Sequence, residues 1–366
     1  MSITKIFIDK SICDADETAS VVSKLNIAPE IVESADIVYE YILSSDDPVQ
    51  KGKETLFITT NKGNFIKSCP GTKHYNCCGY MIINIGTFCN MDCSYCILQT
   101  YFHPPVMKYF INHNELFSEI ESYFKIRKIM RFGTGEFTDS LIWDNWTILS
   151  EKLISKFAGQ SSCVLELKTK TTKIDALKKH DHRRKTIIAW SINTEKIIQS
   201  EERETASLSE RLAAAKKCEN WGYPLAFHFD PIVIYDGCED DYKNVITRLF
   251  SIISIENIVW ISLGTFRFMP ELKPIIQKRF PDSKIIYGEF ISGLDNKMRY
   301  FKPLRTSFYK KIISWIRQIA PYVTIYFCME DDIVWRNSFG FIPKEQGGLK
   351  KILDESAFKH CGLIES

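Results

Sequence analysis

No run of eighteen apolar residues occurs in the 366-residue chain, which argues against a membrane-spanning helix. Met1 to Lys10 has no apolar core long enough for a secretory leader, so the expected location is the cytoplasm. Charge imbalance is missing too: 47 Lys and Arg against 45 Asp and Glu leave a formal net charge of +2. There is thus no global basic field to pull the chain onto nucleic acid or a membrane, and any basic surface has to be local. Internal repeats and low-complexity tracts are also lacking. The 45% hydrophobic and 25% charged residues are ordinary for a globular protein, and the length suits one large domain with small additions.

What the chain has in abundance is cysteine, twelve in all. In a reducing compartment that is too many for structural disulfides. Some are expected to be metal ligands and others buried small apolar residues. The isolated Cys163, Cys218, Cys238 and Cys328 read as structural.

The pattern along the chain is α/β. Residues 1–68 form a small preface with strand-like runs at Lys5–Ile8 and Thr55–Thr59. Apolar runs then recur at Met81–Gly86, Ile129–Phe132, Cys163–Leu167, Thr186–Ser191, Leu225–Phe229 and Val259–Leu263. Polar, helix-periodic stretches such as Asn114–Phe124, Trp143–Phe157 and Leu208–Trp221 lie between them. Six buried strands alternating with helices imply parallel βαβ units over residues 69–264. A partial barrel and an open doubly wound sheet fit this pattern equally. Residues 265–366 add Lys284–Tyr287, a helix near Ser307–Ile319 and the strand Val323–Phe327, and read as a cap over the substrate region.

The strongest signal is Cys89-Asn-Met-Asp-Cys93-Ser-Tyr-Cys96, directly after the first of the six strands. Three thiolates on one short loop can hold three corners of a [4Fe–4S] cubane. The fourth iron is then open to chelate S-adenosylmethionine (SAM), and the reduced cluster can split it to a 5′-deoxyadenosyl radical. This is the ligand count of radical SAM enzymes, in which an aromatic residue such as Tyr95 commonly shields the cluster. The alternatives are a chance spacing or a zinc site completed by His103 or Cys78.

Other motifs extend the resemblance. Cys93-Ser-Tyr-Cys96-Ile-Leu-Gln-Thr100, Thr169-Lys170, Ser191-Ile192-Asn193, Gly222-Tyr223-Pro224-Leu225 and Asp230-Pro231-Ile232 occur in this order. From about residue 70 to 235 the chain resembles the spore photoproduct lyases of the radical SAM superfamily. The resemblance implies a partial (β/α)6 barrel, a [4Fe–4S] cluster and SAM as cofactors, an external one-electron reductant of flavodoxin or ferredoxin type, and a DNA or nucleotide substrate. Gly133-Thr134-Gly135-Glu136 is similar to the Gly-Gly-Glu loop of radical SAM proteins. On that likeness Gly133, Gly135, Glu136, Thr138, Lys170, Ser191 and Asn193 are expected to surround SAM, with Glu136 accepting from its ammonium and Lys170 pairing with its carboxylate.

Two positions break the resemblance. The family's hydrogen-donor cysteine falls at Glu136, and its relay tyrosine, next after the last cluster cysteine, falls at Ile97. A carboxyl O–H is too strong a bond to replace a thiol S–H toward a carbon radical. Three readings follow. The enzyme acts on DNA or a nucleotide, it acts on a peptide or small metabolite, or the chain is a non-catalytic iron–sulfur or zinc protein. Cys69, Cys77 and Cys78 are either loop thiols, a replacement hydrogen source or ligands of a second metal. His228 and Asp230 share one strand face by period two and are candidates for substrate contact or for a core hydrogen bond. Arg299 and Tyr300, in the run Lys297–Lys302, combine charge and aromaticity in a way that suits phosphate contact and base stacking, or simply a solvated loop.

Overall fold

The computed structural model describes residues 2–71 and 74–364. Its principal sheet has eight strands lying side by side in chain order. They are β1 (Ile66–Ser68), β2 (Met81–Ile83), β3 (Met130–Gly133), β4 (Cys163–Thr169), β5 (Thr186–Ser191), β6 (Leu225–Ile232), β7 (Ile258–Thr265) and β8 (Ile325–Phe327). Every neighbouring pair is parallel except β1 and β2, which form an antiparallel edge. The sheet curls into a half-barrel, which decides between the two architectures left open by the sequence.

Parallel neighbours need crossovers, and helices supply most of them. α1 (His113–Phe124) leads to β3, α2 (Leu149–Ala158) to β4, α3 (Leu208–Asn220) to β6, α4 (Cys238–Ile252) to β7 and α5 (Lys302–Ile319) to β8. Only a short 3₁₀ turn, Asp175–Leu177, lies between β4 and β5. α3 starts where Ser207 and Glu210 form a reciprocal capping box. A last helix, α6 (Leu349–His360), packs beside β7, where the Ser356 hydroxyl donates to the Val259 carbonyl.

Four elements differ from the expectations. The helix expected from Trp143 begins only at Leu149, because Trp143 and Trp146 turn inward and meet edge to face at 5.2 Å over Tyr109. The strand expected over Met81–Gly86 divides. Gly86–Thr87 leaves the barrel and pairs antiparallel with Met107–Phe110 in a second, five-stranded sheet. A Cβ at Gly86 would crowd the Lys108 carbonyl and the Trp143 ring, so only glycine permits this crossing. The stretch Lys284–Tyr287 is a turn that buries Ile285 and Ile286. The tail strand joins the barrel as β8 and pairs with the otherwise open edge of β7.

The second sheet contains Lys5–Asp9, Pro29–Val32 and Thr55–Thr59 and borrows Met107–Phe110 and Gly86–Thr87 from the chain around the cysteine loop. That loop is therefore stitched between the two sheets. Among the described residues no helix is long and apolar enough to cross a membrane.

Candidate active site

At the C-terminal end of the barrel a cavity of about 360 Å³ opens, a normal size for a small-molecule site. Cys89, Cys93 and Cys96 all line it. The loop that carries them is held from several sides. Gln99, on the turn that follows, donates from Nε2 to the carbonyls of Ser94 (3.0 Å), Cys96 (3.3 Å) and Cys93 (3.4 Å). Lys53 reaches in from the N-terminal segment, donates to the carbonyls of Cys89 and Met91, and lies 4.8 Å from the centre of the Phe88 ring. Asp92–Cys93 pairs with Glu202–Arg203 as a short antiparallel ladder.

The donor set fits an open-cornered cubane. The Met91 N–H points at the Cys89 sulfur at 3.4 Å, the kind of contact that supports a metal-bound thiolate, and the Lys53 cation lies beneath the loop. Burial pushes the Cys89 thiol up to about 12, and it raises Cys93 as well, so metal binding must displace protons from this loop. A single tetrahedral ion would need a fourth ligand beside the three thiols. His103, a candidate fourth ligand, instead lies within 2.9 Å of the Thr100 carbonyl.

Tyr95 is half-buried and donates its hydroxyl to Glu202, which Arg211 anchors at 2.6 Å. Its ring meets Phe266 edge-on at 6.4 Å and carries the Lys170 ammonium 5.8 Å from its centre. Lys170, Ser191, Thr138, Gly135 and Glu136 all line the cavity. Glu136 lies 3.9 Å from Lys168, with about two-fifths of its side chain exposed.

Two expected binding residues lie elsewhere. Asn193 uses its amide internally: Nδ2 donates to the Pro231 carbonyl at 2.8 Å, and Oδ1 accepts from Thr194 N at 2.9 Å and the Tyr242 hydroxyl at 2.8 Å. Gly133 is a glycine for packing reasons, because a Cβ there would overlap the Tyr80 hydroxyl. Arg299 and Tyr300 are likewise buried and do not form a solvated loop. Arg299 is clamped by Asp295 at 2.7 Å and lies over the Tyr75 ring, while Tyr300 stacks on Phe290.

His228 and Asp230 both face the cavity, as period two requires. His228 Nε2 lies 2.7 Å from Glu166, and Asp230 accepts from Arg267 at 3.1 Å. Burial opposes the charge on Glu166, but His228 and Lys168 hold its carboxyl below the usual carboxylate range. Sequence reading missed Glu166, Lys168, Trp260, Tyr326 and Cys328. Each lies on or just after a barrel strand, and each of Glu166/Lys168, Trp260/Ser262 and Tyr326/Cys328 is an i, i+2 pair pointing inward. That periodicity was the available signal. Cys328, expected to be structural, lines the cavity, whereas Cys163, Cys218 and Cys238 are buried outside its lining.

A half-barrel whose mouth carries three loop thiols beside a ring of charged side chains defines a radical SAM enzyme. Within that class, residues 46–303 match the family model for spore photoproduct lyase, and the chain belongs to that family. It is 28% identical over 259 residues to a spore photoproduct lyase of Bacillus subtilis (strain 168), covering 69% of this chain and 72% of that one. A Clostridium acetobutylicum spore photoproduct lyase is 25% identical over 255 residues, with the same coverage. A spore photoproduct lyase variant solved with AdoMet and dinucleoside spore photoproduct bound superposes with a TM-score of 0.80 at 22% identity, covering 89% of this chain and 99% of that one. At that identity the likeness establishes the fold.

Proposed function

We propose that this protein uses SAM and a [4Fe–4S] cluster to abstract a hydrogen atom from a nucleotide, in DNA or free. The observation that carries the reading is that Cys89, Cys93 and Cys96 share one cavity with an inward-facing set of charged side chains. When bound at the three thiols, the cluster supplies the electron that splits SAM and releases the 5′-deoxyadenosyl radical. The protein's own groups then have distinct tasks. Glu136 accepts from the SAM ammonium, Lys170 pairs with its carboxylate, and Ser191 hydrogen-bonds near the ribose. Tyr95, fixed by Glu202 and Arg211, shields the thiol loop from water. Lys297, Arg267 and Lys168 give the cavity the cations that a phosphodiester requires. The solved relative with a dinucleoside photoproduct supports a substrate of this class.

Glu136 and Ile97 favour a second outcome for the same radical. Neither offers the weak X–H bond that would return a hydrogen to a repaired base, so the substrate can be a nucleotide other than the thymine photoproduct. Anaerobic reconstitution should give about four irons per chain and reductive release of 5′-deoxyadenosine. Deuterium passing from a labelled oligonucleotide to 5′-deoxyadenosine would establish the nucleotide. Label arriving only from a peptide or metabolite pool would reject it. A thymine-photoproduct oligonucleotide left unrepaired while label transfers would exclude lesion reversal alone. Cys93→Ala should lose the iron and the cleavage together.

A further inference from the structure

Seven of the twelve cysteines line one cavity: the three of the loop, and four more, Cys69, Cys77, Cys78 and Cys328. The four are free thiols. They come from two separate places, the segment before β2 and the end of β8. The Glu136 carboxylate is close enough to Cys69, Cys78 and Cys328 to raise the proton affinity of all three. Cys328 is fixed best. It follows the last barrel strand, and the Arg267 guanidinium that clamps Asp230 also donates to its sulfur at 3.6 Å. Cys77 is the exposed member of the group.

We propose that Cys328 is the hydrogen-atom donor to carbon radicals formed in this cavity, and that Cys78, Cys69 and Cys77 carry the resulting vacancy to the surface. The proposal rests on the radical reading above. In the donating step the S–H bond breaks homolytically, a C–H bond forms, and the Cys328 sulfur is left as a thiyl radical. Hydrogen exchange between a thiyl and a neighbouring thiol is nearly thermoneutral, so the vacancy can pass along the group. At Cys77 a low-molecular-weight thiol returns the hydrogen atom and leaves, after pairing with a second such radical, as its disulfide.

A donor must keep its proton, because a thiolate has no S–H to give. Burial pushes the Cys328 thiol up to about 12 against the pull of Arg267, so it stays protonated at neutral pH. The competing weak O–H bonds belong to five tyrosines of the lining, Tyr75, Tyr80, Tyr95, Tyr101 and Tyr326. Tyr80 packs its hydroxyl against the Gly133 backbone, that of Tyr326 is hydrogen-bonded to Ser262, Tyr95 donates to Glu202 and Tyr75 accepts from Leu294 N.

The test uses the full-length, cluster-loaded enzyme in D₂O with SAM and dithionite and without substrate, where the 5′-deoxyadenosyl radical itself samples the cavity. Wild type should release 5′-deoxyadenosine carrying deuterium. Cys328→Ser should keep the iron content and the cleavage but lower the deuterium at least tenfold, while Cys163→Ala changes nothing. Equal labelling in Cys328→Ser, unlabelled product from wild type, or loss of label in Tyr326→Phe instead would each overturn the donor assignment. Absence of 5′-deoxyadenosine from the loaded wild type would overturn the radical reading itself. A readout without the cluster is alkylation by iodoacetamide at pH 8, followed by mass spectrometry. Cys77 should react at least tenfold faster than Cys328, and equal rates would contradict a protonated, half-buried Cys328.

Discussion

One half-buried carboxylate contributes a pH dependence that the chemistry does not need. Burial pushes the Asp144 carboxyl up to about 7, although the Ser150 hydroxyl donates to it at 2.6 Å. Its other oxygen has no hydrogen-bond partner. Between its ordinary value of 3.8 and about 7, the folded chain keeps a proton that the unfolded chain has released. Stability therefore falls as pH rises through that window and levels off above it. Asp144→Asn should flatten its share of this slope, to which Asp139 and Glu330, also raised by burial, add in the same direction, and stabilise the protein at pH 8 by on the order of 2 kcal/mol, read from urea melts at pH 5 and 8. A slope as steep in Asp144→Asn as in wild type would contradict the assignment. At the same scale, Glu136→Ala should weaken SAM binding tenfold or more, since a lost charge-assisted hydrogen bond is worth about 1.5–3 kcal/mol. Iron content should not change, and unchanged SAM affinity would remove Glu136 from the binding site.

The barrel strands act as elements through their alternation. β4 and β6 place Glu166 and His228 opposite each other, both buried, at 2.7 Å. His228→Leu leaves Glu166 with the Trp260 indole N–H at 3.4 Å and the charge of Lys168, and should cost about 3 kcal/mol. His228→Leu combined with Glu166→Leu should recover most of it in denaturant melts, and a double variant no more stable than the single one would show that the pair is not what the single change breaks. This pair also marks the limit of what the sequence disclosed. The cysteine loop was legible because its three thiols lie in one short stretch and their spacing is a property of the chain alone. The parallel strands were legible as apolar runs. Glu166 was not, because a glutamate inside an apolar run acquires meaning only when the curl of the sheet turns its face inward toward a histidine 62 residues away. Asn193 is the opposite case. Its motif matched, but Tyr242, on α4 (a helix with no motif of its own), takes up its side-chain oxygen.

Across the whole molecule, two distant segments converge on the cysteine loop. Arg279, at the end of the tail helix Leu272–Arg279, donates to Asp47 of the N-terminal segment at 2.9 Å. It also donates to Asp92 at 3.1 Å and to Gln99 at 2.6 Å, both within the cysteine-bearing stretch. Lys53, from the short helix Pro48–Lys53, lies 3.7 Å from the same Asp92 and holds two loop carbonyls. The preface and the tail thus act as a vice on the cysteine loop, joined through one buried carboxylate, Asp92. Arg279→Met leaves Asp92 with Lys53 as its remaining cation and frees Gln99, whose amide orders the loop carbonyls. A broken buried pair of this kind costs about 3–5 kcal/mol. The cost should fall on the loop: iron should leave the reconstituted protein for a chelator at least tenfold faster than from wild type, with Arg279→Lys restoring part of the difference. Lys53→Met should speed release by the same route from the other side. If Arg279→Met lowers global stability without changing iron release, the vice holds the two sheets together and not the loop.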